Sequence, residues 1–190
     1  MIERRQLLRS SDLSDSLFFC CGDLSERWDF AGNDSLVYLF GEHVVKVYNQ
    51  GKWRSFSESQ ASKIINLYKE ITNSASRFSE EENWHLNLRF NNLALPLRVA
   101  PIEKVIRCSC CGSFASVSPF VEGKNLEEKM INSRFDLREL RVVLPQLSLD
   151  FCRRFSVSGI SILPINIKYF QEKLIITDLC SNLSILKALS

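Results

Sequence analysis

The feature that most constrains this chain is a switch of hydrophobic period. Leu36-Val37-Tyr38-Leu39-Phe40 and Val44-Val45-Lys46-Val47-Tyr48 are β-branched and aromatic runs around a Gly41-Glu42 turn. Two such runs with a tight connection predict a β-hairpin. Apolar residues then recur at Ala61, Ile64, Ile65, Tyr68 and Ile71, which predicts a helix over 55–73. Ser55-Phe56-Ser57-Glu58 has the form of a capping box, which satisfies free N–H groups at a helix start.

The remaining elements follow from the same rules. Residues 1–25 are polar and patternless, and read as an arm. Residues 74–92, with Glu80-Glu81-Glu82 and Asn91-Asn92, read as a solvated loop. Leu97-Arg98-Val99, Lys104-Val105-Ile106 and Phe114-Ala115-Ser116-Val117 read as strand pieces, the last running into Pro119-Phe120-Val121-Glu122-Gly123. Leu137, Leu140, Leu144, Leu147, Phe151 and Phe155 mark one face of a helix over about 136–156, which Pro145 is expected to kink or split. Asn166-Ile167-Lys168-Tyr169-Phe170 and Leu174-Ile175-Ile176-Thr177-Asp178 flank a Gln171-Glu172-Lys173 turn. The fold class is α+β: a mostly antiparallel sheet with one packed helix, then a helical part with a small ribbon.

Length and charge narrow the function classes. A chain of 190 residues is one domain, or one domain with an arm. Its 24 Lys and Arg against 22 Asp and Glu give no basic face of the kind nucleic acid requires. No run approaches the ~20 apolar residues of a membrane helix, and Leu17-Phe18-Phe19-Cys20-Cys21 is short for a signal-peptide core. The expected location is therefore the cytoplasm, or a host cytosol reached by specialised secretion. Seven cysteines (20, 21, 108, 110, 111, 152 and 180) are an odd number, which favours a reducing compartment. Cys108-Ser109-Cys110-Cys111-Gly112 offers two readings, a zinc site or a tight turn between strands.

Four polar residues carry the chemistry. Lys46 interrupts an apolar strand, where it shares a face with Val44 and Tyr48. It reads either as a snorkelling edge lysine or as a lysine aimed at a phosphate. Glu58 is placed by its spacing to Ala61 and Ile65 on the buried face of its helix, either as the cap or as an ion-pair partner for Lys46. Asn166 and Asp178 lie at the ends of the two short C-terminal strand pieces.

In this order the four residues resemble the protein-kinase-like fold. Val44-Val45-Lys46 is similar to the third-strand V-A-I-K signature, and Glu58 resembles the glutamate of the following helix. Ser118-Pro119-Phe120-Val121-Glu122-Gly123 is similar to the hinge, Pro164-Ile165-Asn166-Ile167 to the end of the catalytic loop, and Ile176-Thr177-Asp178-Leu179-Cys180 to the I-T-D-F-G run. The resemblance implies an arm (1–25), a kinase-like N-lobe (26–121) and a reduced C-lobe (122–190). It implies ATP and Mg²⁺ as cofactors, with Asn166 and Asp178 on the metal and Lys46 on the α/β-phosphates. Gly32 stands for the phosphate loop, Val37 covers the adenine, and Pro119 and Val121 supply hinge backbone groups.

The departures bear on activity. Ser161 occupies the position of the catalytic aspartate and cannot act as a carboxylate base, a loss of ~10²–10⁴ in rate. The phosphate loop keeps one glycine, Asp34 adds a negative charge near it, Val44 replaces a small alanine, and Cys180 replaces the final glycine. Only 12 residues follow Asp178 (190 − 178), so the resemblance implies a small lobe, a hinge and a stump of the large lobe. The expected function is a nucleotide-binding pseudokinase or a very weak phosphotransferase. The alternative is a non-catalytic protein-interaction module on the same scaffold, such as a bacterial effector or regulator, and a third reading is an unusual transferase that dispenses with the aspartate. A protein partner, or the Leu183–Leu189 tail, is expected to cover the apolar face of the second helix.

Overall fold

A computed structural model describes residues 18–19, 27–28, 35–40, 42–48, 56–88, 93–108, 112–126, 137–158 and 160–181. In chain order the elements are β1 (Phe18–Phe19), β2 (Arg27–Trp28), β3 (Leu36–Phe40), β4 (His43–Tyr48), α1 (Glu58–Glu81), β5 (His85–Leu88), β6 (Leu93–Val99), β7 (Lys104–Cys108) and β8 (Phe114–Pro119). There follow β9 (Lys124–Asn125), α2 (Leu137–Arg154), β10 (Ile160–Ser161), a 3₁₀ turn (Pro164–Asn166), β11 (Ile167–Phe170), β12 (Lys173–Ile176) and β13 (Cys180–Ser181). The α+β class is as expected. Among the described residues no helix is long and apolar enough to cross a membrane. The chain divides into two compact units, residues 1–69 with 102–120 and residues 70–101 with 121–190. Residues 70–101, assigned to the N-lobe by the sequence, thus sit with the second unit.

The first unit is built on a six-stranded sheet in the order β1-β7-β8-β4-β3-β2. Its ladders are antiparallel except for β1, which runs parallel to β7, so Phe18 and Phe19 of the expected arm are sheet residues. Alternation along β4 separates the faces as the sequence predicts. Val45 and Val47 are fully buried with Ile106, Ala115 and Val117, and Tyr38 packs on them. Where β7 ends and β8 begins, Cys108 N–H donates to the Ser113 carbonyl (2.7 Å) and Gly112 N–H to the Cys108 carbonyl (3.0 Å). Gly112 has φ +70°, a left-handed conformation that glycine adopts without Cβ strain. Cys108 is buried, and Cys110 and Cys111 lie outside the described residues.

Helix α1 starts later and ends later than its apolar spacing suggests. The capping box in use is Ser57 with Gln60: Gln60 N–H donates to Ser57 Oγ (3.3 Å) and Ser57 N–H donates back to Gln60 Oε1 (3.0 Å). Ser55 lies outside the described residues. The predicted stripe of Ala61, Ile64, Ile65, Tyr68 and Ile71 is buried. The helix then continues to Glu81, through residues read as loop, because Thr72, Ala75, Ser76 and Ser79 extend that buried face in small residues that carry little hydropathy signal. It ends in a Schellman motif. Asn83 is left-handed (φ +49°), Trp84 N–H reaches the Ser79 carbonyl (3.4 Å), and the Trp84 ring packs edge-on against Phe78.

The second unit holds more strand than expected. Its five-stranded sheet runs β5-β6-β12-β11-β9, with β6 parallel to β12 and the other neighbours antiparallel. The β5 strand arises from the segment read as loop. A separate two-stranded ribbon joins β10 to β13. The β11–β12 turn uses two residues rather than three, since Phe170 pairs with Lys173. Gln171 (φ +46°) and Glu172 (φ +60°) are both left-handed, the type I′ geometry whose twist matches paired strands.

Helix α2 runs unbroken through Pro145. Proline has no N–H for the Arg141 carbonyl, but Arg141 is exposed, so water can satisfy that oxygen. Leu140, Leu144, Leu147 and Phe151 are buried as predicted. Phe151 stacks on Trp84 (6.3 Å) and contacts Phe155 (4.6 Å), which meets Phe78 edge-on. The chain therefore buries this face itself, and Leu183–Leu189 lie outside the described residues. A second Schellman motif ends α2, with Ser156 at φ +52°, Val157 N–H on the Cys152 carbonyl (2.9 Å) and Ser156 N–H on the Arg153 carbonyl (3.4 Å).

Among the described residues, the four left-handed non-glycine residues thus close helix ends or a hairpin. Replacing Glu172 or Ser156 by glycine is expected to raise the unfolding free energy by about 1 kcal/mol each, because a Cβ in this conformation costs roughly that much. Urea denaturation of the single variants measures it, and an unchanged midpoint for both would contradict the turn assignments.

Candidate functional site

Two candidate residues of the first unit, Val37 and Lys46, share one sheet face. Lys46 lies directly opposite Val37 on β3 and opposite Ser116 on β8. Facing residues in a ladder share a side of the sheet, so Val37, Val44, Lys46 and Ser116 line the face away from the Val45–Val47 core. Val37, Val44, Lys46 and Tyr48 are half-buried there. Ser116 is 2% exposed, and its hydroxyl is 3.0 Å from the Tyr48 hydroxyl. This buried Ser116–Tyr48 pair was not singled out from the sequence, because serine in a strand gives no pattern signal. Gly32 lies outside the described residues.

Glu58 is placed differently from its expectation. It is the first residue of α1, and its side chain is 63% exposed rather than on the buried face. The helix starts beyond the predicted cap, and that puts Glu58 at its rim. Its Oε1 lies 2.7 Å from Nη1 of Arg107 on β7, so the ion pair the structure gives it is with Arg107. The buried residues of the helix's first turns, Ala61, Ile64 and Ile65, carry no carboxylate.

The hinge-like segment leaves β8 at Pro119, opposite His43. Proline cannot donate, and the next ladder bond is made by Phe120 N–H to the Glu42 carbonyl (2.7 Å). The His43 ring is fixed beside it, with Nε2 3.1 Å from Glu103 Oε2. Val121 is half-buried and opens the second unit's portion of the chain. Gly123 follows at φ +111°, where a Cβ would lie 2.5 Å from the Tyr169 carbonyl, so only glycine fits. Lys168 Nζ donates to its carbonyl (3.3 Å).

In the second unit, β11 and β12 bring Asn166 and Asp178 to one place. Ile167 pairs with Ile176, and both are fully buried. One step beyond that pair, Thr177 grips the Asn166 carbonyl twice, through its N–H (2.8 Å) and its hydroxyl (3.1 Å). The 3₁₀ turn is closed by Asn166 N–H on the Leu163 carbonyl (2.9 Å). Asn166 and Asp178, both half-buried, therefore sit at the open mouth of one hairpin. Asp178 is followed by Leu179, 1% exposed. Ser161 is exposed on β10 and pairs with Cys180, so it belongs to the ribbon just past Asp178. Among the described residues no group of three or more His, Cys, Asp or Glu could hold a metal ion. An Asn–Asp pair is instead the incomplete oxygen set that suits Mg²⁺ when phosphates and water supply the remaining ligands.

The Glu58–Arg107 pair is solvent-facing and should matter little to stability. A double-mutant cycle with Glu58→Gln and Arg107→Gln is expected to return a coupling below about 1 kcal/mol. A coupling of several kcal/mol would mean the pair is buried.

No protein-family model and no curated protein matches the chain. Among solved structures, the chain is similar to the kinase domain of PknI from Mycobacterium tuberculosis, at 14% identity over 80% of this chain and 56% of that one, with a TM-score of 0.44. A further structure of the same domain gives 13% identity, 80% and 57% coverage and a TM-score of 0.42. Rad53 1–466 in complex with AMP-PNP gives 14% identity, 82% and 37% coverage and a TM-score of 0.47. The chain spans a little over half the length of the PknI kinase domains and 37% of the Rad53 chain.

Proposed function

We propose that this chain is a kinase-like nucleotide-binding protein, either without phosphotransfer or with very little of it. The observation that supports the reading is the double hydrogen bond of Thr177 to the Asn166 backbone carbonyl, which ties Asn166 to the residue just before Asp178 at the open end of the β11–β12 hairpin. Asn166 and Asp178 would hold Mg²⁺, and Lys46 would meet the α/β-phosphates, with Val37 on the same sheet face against the base. Pro119 and Val121 would offer backbone groups to the adenine edge. Ser161, which the sequence resemblance sets at the position of the base, has no carboxylate, so binding without efficient transfer is the expected behaviour.

The alternative, a protein-interaction module, is favoured by one observation. Val142 (72% exposed) and Leu149 (52%) stand seven residues apart on α2 with exposed Pro145 between them, an apolar stripe facing outward.

A thermal-shift titration separates the two. MgATP at a hundred times its Kd is expected to stabilise the wild-type chain by about 2.7 kcal/mol, and Lys46→Ala and Asp178→Ala to lose most of that shift. No shift at millimolar MgATP removes the nucleotide reading and leaves the interaction module.

A further inference from the structure

The C-terminal end of α1 presents an electrostatic problem. A helix C-terminus carries partial negative charge, and here the last turn holds Glu80 and Glu81, followed by Glu82, with no basic residue. The missing cation comes from another element. Arg98 on β6 places Nη1 2.7 Å from the Ser79 carbonyl and 2.9 Å from the Leu97 carbonyl, with Nη2 3.4 Å from Asn83 Oδ1. Ser79 is fully buried and adds a second tie, because its hydroxyl donates to the Ser76 carbonyl (2.7 Å) and accepts from Val99 N–H (3.3 Å). The helix end is therefore fastened to β6 at two consecutive residues.

From there the connections lead to the hairpin mouth. Leu97, Arg98 and Val99 pair in parallel with Leu174, Ile175 and Ile176. Ala100 N–H extends the ladder to the Ile176 carbonyl (2.9 Å). Thr177, which clasps Asn166, is the next residue, and Asp178 follows it. Leu97, Leu174 and Ile176 are fully buried and Val99 nearly so, so β6 cannot slide along β12 without breaking both the ladder and the packing.

We propose that Arg98 and Ser79 are positioning residues for the Asn166–Asp178 pair, setting it through β6 and β12 so that metal-dependent nucleotide binding depends on how the end of α1 is tied down. The proposal rests on the nucleotide reading given above. Groups hydrogen-bonded directly to metal ligands typically contribute 10- to 100-fold to metal affinity; Arg98 and Ser79 act one strand further back, so the low end of that range sets the scale.

The test is the metal dependence of nucleotide binding in the full chain: the ratio of the Kd for ATP in EDTA to the Kd for MgATP, with Ser79→Ala, Arg98→Lys and Arg98→Ala, below the melting temperature of the weakest variant. Ile106→Ala, which opens a cavity in the Val45–Val47 core of the first unit, is the control for destabilisation alone. The expected result is a ratio about tenfold lower in Ser79→Ala and Arg98→Ala, a smaller loss in Arg98→Lys, and an unchanged ratio in the control. Amide exchange gives a readout that needs no nucleotide: the Thr177 N–H should exchange faster in Ser79→Ala and Arg98→Ala than in the control. An unchanged ratio in Ser79→Ala and Arg98→Ala alongside metal-dependent binding by the wild type overturns the proposal. If the wild type fails to bind MgATP, the nucleotide reading falls and takes the metal role with it, while faster Thr177 exchange would still establish the mechanical link.

Discussion

The second unit depends on the parallel pairing of β6 with β12. Parallel neighbours cannot be joined by a tight turn, so the chain makes a long excursion between them, through the whole β7–β8 hairpin, β9, α2 and β11. What holds the two strands together is burial: Leu97, Leu174 and Ile176 lose all contact with water. Every other feature of the candidate metal end inherits its position from this pair. Thr177 is where it is because Ile176 is locked, and Asn166 is held because Thr177 is.

The hydrogen bonds at the two helix ends show how local chemistry and tertiary placement divide the work. Asn83 and Ser156 close their helices by backbone bonds within a few residues. The charge at the end of α1 is met from β6 instead, by a guanidinium whose fork reaches two carbonyls and an amide oxygen. A residue that is unremarkable in the sequence, an arginine in a strand of leucines, becomes the tie between a helix and a sheet.

Much of the architecture was legible. The β3–β4 hairpin, the buried stripe of α1, the apolar face of α2 and the β11–β12 hairpin all follow from period and turn chemistry, which act over a few residues. The misses have local causes too. Helix α1 ran past its predicted end because Ala75, Ser76 and Ser79 are small enough to pack closely yet too polar or too small to register as apolar. The capping box moved to Ser57 because Gln60 serves as well as glutamate at that position. Pro145 left α2 unbroken because the carbonyl it orphans faces solvent.

The sequence alone determined which faces are apolar, where the turns fall and which polar residues stand out against their surroundings: Lys46 in a strand, Asn166 and Asp178 at strand ends. Those properties are set by neighbours along the chain. Only the tertiary structure decided that Glu58 faces Arg107 at the rim and that Arg98 answers the charge of a helix end. Each of these needs residues brought together across a long loop, and neither a helical nor a strand period carries information about which distant segment will be the partner.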